Sequence, residues 1–320
     1  MRSRRRLLRT GMGITGAGLI TTIAGCSGTE IDEQGATHAT EQEETSDDTA
    51  TDAGTETGNG EADDSPEKLD YTDWAYDHAS LSGGRILFVE RDVEAMLATE
   101  HLPSDSKTDL QREVDWTRSI VVDDISSHLQ FPTGNVLTGS FDMVGFIENE
   151  ELTLETTHGG FDIYLAPDNL EEAAVATDGT HLINAYHVSA EDSTSRAQLE
   201  LLIDTYTGAT DGIVETDDDF SLLAAELGEG LRRESMTTPD RIDDEYQSVV
   251  RGNSMTIDGE RTQVRTVRVY ETEADIDVDG LAGELRNGFR DRDDWELTDI
   301  YQSGRTAISE WGCPTDDIEI

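Results

Sequence analysis

Residues 27–70 carry no aromatic side chain and almost no aliphatic one, while fifteen of these 44 positions are Asp or Glu and eight are Thr. Such a stretch cannot bury enough apolar surface to offset the entropy of ordering it. Folding is therefore confined to the chain that follows, and this segment reads as an acidic disordered stalk. As a flexible coil it spans roughly 35 Å, and more where its charges repel. Its threonines suit O-linked sugars. The chain has no Asn-X-Ser/Thr sequon, so N-glycosylation is not expected.

The residues before the stalk read as an address. Ser3-Arg4-Arg5-Arg6-Leu7-Leu8-Arg9 matches the twin-arginine export pattern, with Arg4 and Arg5 as the signal pair. Residues 10–24 follow as a glycine-rich, moderately apolar stretch. As a helix, 15 residues reach about 22 Å, short of a hydrocarbon core of roughly 30 Å, so a signal segment is expected and not a permanent span. Ile23-Ala24-Gly25-Cys26 resembles a lipobox, in which small residues precede the cysteine that takes the lipid. The expectation is that residues 1–25 are a cleaved signal peptide. Cys26 then holds the chain to the cell membrane on the extracellular side, and the stalk keeps the folded part clear of the headgroups. One lipid chain alone gives only marginal membrane binding.

Charge bounds the solvent and the partners. The chain has 70 acidic and 23 basic residues, a net charge of −47, and its only lysines are Lys68 and Lys107. Five arginines and no acid lie in residues 1–25, so the mature chain carries 18 basic against 70 acidic side chains, or −52. Such self-repulsion strains a compact state at ordinary ionic strength. At molar salt the Debye length falls to roughly 3 Å and most of it is screened. The composition reads as a protein built for near-saturated brine. Nucleic-acid binding needs a basic stripe that releases counterions, and the mature chain has none. With Cys26 lipidated, Cys313 is an odd thiol, and no disulfide holds the fold together.

Order is expected to begin at the aromatic cluster of Tyr71, Trp74 and Tyr76. Residues 85–89 read as a buried strand, 93–97 as a helix start capped by Asp92, and 119–122 and 135–141 as further strands. Residues 141–149 read as a short helix capped by Asp142. Strands 152–157 and 161–165 flank a His158-Gly159-Gly160 turn, and 173–177 and 181–188 form a hairpin across Asp178-Gly179. Helices are expected over 197–206 and 220–227. A hairpin of 246–255 with 262–270, a helix over 281–289 and a hairpin of 297–301 with 306–311 complete the chain.

The last third repeats part of the middle. Glu151-Leu152-Thr153 matches Glu296-Leu297-Thr298 at an offset of 145, which also sets Gly159 on Gly304 and Ile163 on Ile308. Both stretches share the order strand, helix, strand, turn, strand. The expected fold is α+β with two antiparallel sheets, each covered by helices. They are divided between a first domain over 71–240 and a second, smaller unit over 241–320. Val136-Leu137-Thr138-Gly139-Ser140-Phe141, Gly160-Phe161-Asp162-Ile163-Tyr164, Ala174-Val175-Ala176 and Asp217-Asp218-Asp219-Phe220 resemble uncharacterised haloarchaeal surface lipoproteins over residues 84–230. The resemblance implies a sheet-and-helix domain of ferredoxin-like type, here as tandem units related by the duplication. It carries no activity and no site residues.

Candidate chemistry is sparse. Asp275-Ile276-Asp277-Val278-Asp279-Gly280 opens like a calcium loop, with Asp275, Asp277 and Asp279 as ligands at alternate positions. Arg286 stands where the loop's bidentate acid belongs, and Asp279 also suits the N-cap of a helix beginning at Leu281. His181 and His187 lie about 20 Å apart along one strand and cannot share a metal; His158 sits in a turn. Tyr71, Trp74 and Tyr76 suit either a ligand-binding face or an anchor for the start of the fold. The chain has no Gly-X-Ser-X-Gly, His-Glu-X-X-His or Cys-X-X-Cys motif and no phosphate-cradling glycine loop. A non-catalytic binding or interaction module, without a cofactor, is the reading these residues favour. Its ligand is a protein, polysaccharide or small molecule. An extracellular hydrolase working through carboxylates and a calcium-stabilised adhesion or envelope protein are the alternatives.

Overall fold

Five tight hairpins account for ten of the strands, each nucleated by a local turn. β2 (Ile125–Phe131) pairs with β3 (Gly134–Gly139), and β4 (Thr153–His158) with β5 (Phe161–Leu165). β6 (Ala173–Thr177) pairs with β7 (His181–Tyr186), β9 (Ser248–Asp258) with β10 (Arg261–Tyr270), and β11 (Glu296–Ser303) with β12 (Thr306–Pro314). The structure, a computed structural model, describes residues 69–77, 87–103, 106–114, 120–165, 173–186, 194–237, 248–290, 292 and 294–318. Arg4, Arg5, Cys26 and the stalk up to residue 68 lie outside them.

Two strands belong to no hairpin, β1 (Leu87–Asp92) and β8 (Arg232–Thr237), and they pair with each other. Because they do, the expectation of two separate sheets is wrong. The described strands form a single 12-stranded antiparallel sheet in the order β11-β12-β10-β9-β8-β1-β2-β3-β7-β6-β5-β4. The join was hidden because β8 reads Arg-Arg-Glu-Ser-Met-Thr and lacks an apolar strand signature. Ion pairs supply what apolar residues do elsewhere. Arg233 donates to Glu90 at 2.7 Å, lies 3.5 Å from Asp70 and stands over the Tyr71 ring at 4.7 Å from its centroid. Glu90 also accepts the Tyr71 N–H at 3.2 Å. Burial pushes the Glu90 carboxyl up, and Arg233 pulls against that rise.

The expected tandem ferredoxin-like units are likewise absent from the described residues, and the repeat at offset 145 appears instead as a symmetry within the one sheet. β1 and β8 are related by the same offset of 145, and their register pairs Val89 with its own equivalent, Glu234. A local two-fold axis therefore passes through the seam. At the edges, Thr156 faces Ile163 and Tyr301 faces Ile308, again 145 apart. Between them stand equivalent crossovers, β3–α4–β4 and β10–α8–β11, with α4 spanning Met143–Asn149 and α8 spanning Val278–Phe289. The first half differs by inserting the β6–β7 hairpin between β3 and β5.

One face of the sheet carries the main core. Phe88, Leu129, Val136, Ile183, Ile163, Val267 and Ile308 point there, under α5 (Ser195–Tyr206) and α7 (Asp218–Leu227). The first described residues thread into this layer through α1 (Tyr71–Trp74). Tyr71 stacks on Phe88 and Trp74 on Tyr206, each at 4.1 Å, and Tyr76 bonds Thr133. α6 (Ile213–Thr216) closes over them, its Ile213 N–H donating to the Ala75 carbonyl at 2.7 Å. The opposite face is covered in the first half by α2 (Val93–Ala98) and α3 (Ser106–Glu113), and in the second by α8. The strand expected over 119–122 is absent at its described residues. Val121 is extended but unpaired, and Val122 opens a 3-10 turn that leads into β2.

Two outcomes follow. Arg233→Ala leaves Glu90 buried without its cation and is expected to cost about 3–5 kcal/mol, read from urea unfolding at constant salt. Gly159 and Gly304 share a φ of 55°, but a Cβ on Gly159 would lie 2.5 Å from Ile203 Cγ2, whereas one on Gly304 meets only Glu273 Oε1 at 4.0 Å. Gly304→Ala should therefore cost only the left-handed backbone penalty of about 1–2 kcal/mol, and Gly159→Ala measurably more. Equal costs would contradict the packing described.

Candidate functional site

The seam has a second face, and there the two halves diverge. Arg91 pairs in register with His128, and Val89 with Gln130. The offset of 145 carries Arg91 onto Met236 and Val89 onto Glu234, whose own register partners are Arg251 and Asn253. These are equivalent places with different surroundings. The link between β1 and β2, residues 93–124, builds α2 and α3 over the first. The link between β8 and β9 is only residues 238–247, which lie outside the described residues.

In the second half, Leu87, Glu234, Met236, Arg251 and Asn253 line a shallow, water-sized depression. Its floor is a hydrogen-bonded row crossing four strands. Arg232 donates to Glu234 Oε2 at 3.0 Å and Asn253 Nδ2 to Glu234 Oε1 at 2.8 Å. Thr266 donates to Asn253 Oδ1 at 2.7 Å, and Trp311 Nε1 to the Thr266 hydroxyl at 3.4 Å. These bonds fix the orientation of the carboxylate and the amide. Among the described residues that line the depression, Glu234 supplies the carboxylate, held by Arg232.

In the first half the equivalent place is closed and polar. Arg91 and His128 are 2% and 1% exposed. Glu113, from the last turn of α3, reaches down so that Arg91 Nη2 donates to its Oε1 at 2.9 Å, while Arg91 Nη1 lies 3.5 Å from Gln130 Oε1. His128 Nε2 donates to Asn135 Oδ1 at 3.0 Å, which fixes Nδ1 as a lone-pair acceptor. Burial, reinforced by the Arg91 charge, pushes His128 down to about 3, so the ring is neutral at any ordinary pH. Glu113 Oε2 stands 3.9 Å from Nδ1, too far to reverse that order. Burial likewise draws Arg91 down to about 10.

The sequence drew attention elsewhere. Asp277 is the N-cap of α8, accepting the Gly280 N–H at 2.9 Å, so the helix begins earlier than expected and Asp279 lies in its first turn. Asp275 accepts both the N–H and the hydroxyl of Thr272, at 3.0 and 2.9 Å. Asp275 and Asp277 are thus engaged in local caps, and among the described residues no group of three His, Cys, Asp or Glu side chains could hold a metal ion. His181 is buried between Trp74 and Tyr206 and bonds Asp178 at 2.9 Å, His158 bonds Asp204 at 2.7 Å, and His187 lies outside the described residues. Tyr71, Trp74 and Tyr76 are each 1% exposed, inside the core. Cys313 is a buried thiol, pushed up to about 11 by burial.

No protein-family model and no curated protein matches the chain. Among solved structures it is similar to crystal form I of TP0453, at 10% identity and a TM-score of 0.41 over 78% of this chain and 94% of that one. Crystal form III gives 10% and 0.43 over 77% and 94%, and form IV gives 8% and 0.40 over 72% and 90%.

A neutral, buried His128 has a thermodynamic signature. Between about 6.5 and about 3 the unfolded imidazole takes up a proton that the folded one refuses. Stability therefore falls as pH drops through that window, by up to about 1.4 kcal/mol per unit. His128→Gln should flatten that part of the profile in urea unfolding at fixed salt; an unchanged slope would place the titration elsewhere.

Proposed function

We propose that the chain is a membrane-tethered extracellular lipoprotein that acts as a non-catalytic interaction module in brine. The observation that supports this reading best is the polar row over β8–β10, where Glu234 and Asn253 border a shallow depression and are held by hydrogen bonds to Arg232 and Thr266. A strand surface whose carboxylate and amide are already held by hydrogen bonds suits recognition, because little side-chain freedom remains to be lost on binding. The partner class is a protein, polysaccharide or small molecule that meets this row, and nucleic acid is excluded by charge. The tether follows from the twin-arginine address, the lipobox at Cys26 and the acidic spacer. The resemblance to haloarchaeal surface lipoproteins agrees with it.

One experiment on intact cells addresses both parts. A photo-crosslinking residue is placed at Met236, with a control at Thr157 on the edge strand β4. A discrete adduct at Met236 and none at Thr157 is the expected result; identical labelling at both would overturn the proposed surface. In parallel, Cys26→Ser should release the protein into the medium or leave its signal uncleaved. A variant that stays membrane-bound after signal removal would defeat the tether without touching the surface.

A further inference from the structure

The closed polar place under α3 leaves three side-chain atoms without a partner in the protein: Arg91 Nε, Glu113 Oε2 and His128 Nδ1. Each is buried, and an unmade hydrogen bond in such a place is costly. Their chemistry is complementary to one kind of guest. Two are acceptors, since Glu113 is ionised against Arg91 and the His128 proton is committed to Asn135. The third is an N–H donor.

We infer that Arg91, Glu113 and His128 form a binding site for a single small neutral hydrogen-bond donor, a buried water, which fastens α3 to the sheet. The two acceptors are 3.9 Å apart, and an oxygen about 2.8 Å from each subtends roughly 90°, within the range of a water donating both protons. Arg91 Nε is the unpartnered donor of the same cluster from which its oxygen would accept, and about three hydrogen bonds is the usual number for a buried water. Charge selects against other guests. Arg91 and Glu113 already cancel, so a cation would sit unbalanced beside the guanidinium and an anion would face two acceptors. A direct His128–Glu113 bond would need a proton on Nδ1.

The site is tested by NMR on the full chain with 15N-labelled histidine. The expected spectrum shows His128 as the Nε2–H tautomer, with magnetisation transfer from a long-lived water to its ring protons. Glu113→Gln keeps an acceptor and should keep the transfer, whereas Glu113→Leu should lose it. Absence of transfer in the wild type, a doubly protonated His128 at neutral pH, or transfer undiminished in Glu113→Leu would each overturn the proposal. If Glu113→Leu does not fold, the wild type and Glu113→Gln decide it by the presence or absence of the same signal. Zinc added alone should leave the His128 resonances unmoved; a selective shift at equimolar metal would reassign the site to a cation.

Discussion

The contact between Glu90 and Arg233 carries the architecture, because among the described strands it lies at the one pairing that joins the two halves of the sheet. Every other strand pair is either made by a hairpin or lies within one half. At the seam the chain brings together segments 145 residues apart, and it does so with few apolar side chains. Burying a charge is costly unless it is paired and hydrogen-bonded. Here Glu90 receives a guanidinium and a backbone N–H, while the Tyr71 ring lies against the same guanidinium. The start of the described chain is thus fixed to the middle of the sheet through the same group of atoms.

The duplication explains why the outer face is uneven. Equivalent strands present equivalent positions, but only the first half has an insertion long enough to fold helices over them. There the polar side chains had to be satisfied internally, and Arg91, Glu113, His128 and Asn135 do most of this among themselves. In the second half a polar row formed across the strands instead, from Arg232 through Glu234, Asn253 and Thr266 to Trp311. A net charge of −47 makes this placing of arginine noteworthy. Arg91, Arg232, Arg233, Arg251, Arg261, Arg265 and Arg268 all lie on the four neighbouring strands β10, β9, β8 and β1. The cations are concentrated where burial reduces screening by salt.

Four of the five hairpins were legible because their turns announce themselves through Gly159-Gly160, Asp178-Gly179, Gly259 and Gly304, with alternating apolar residues on either side; the β2–β3 hairpin was not. The repeat at offset 145 was legible too, and it holds at the level of strand register. The single sheet was not. β8 has no apolar periodicity, and β2 buries Ser127 and His128 where an apolar pattern would have been sought. With those two strands unmarked in the sequence, no apolar pattern linked the halves. α3, with the sequence Ser-Lys-Thr-Asp-Leu-Gln-Arg-Glu, buries only Ser106 and Leu110 and gave no apolar stripe. The polar cluster was invisible for the same reason: in a chain with 70 acids, Glu113 has no local mark that separates it from the rest. The alternating aspartates attracted attention through spacing that helix capping explains.

The polar seam also governs how the chain assembles. Hairpins close quickly because their partners are near in sequence, whereas β1 must wait for β8 across more than half of the folded region. A half-built molecule therefore exposes an unpaired sheet edge for a time, and such edges template aggregation when they are apolar. The waiting edge of the second half is Arg-Arg-Glu-Ser-Met-Thr, a strand too charged to recruit a stray neighbour. The residues that hid the join from sequence reading are those that keep the unjoined half soluble.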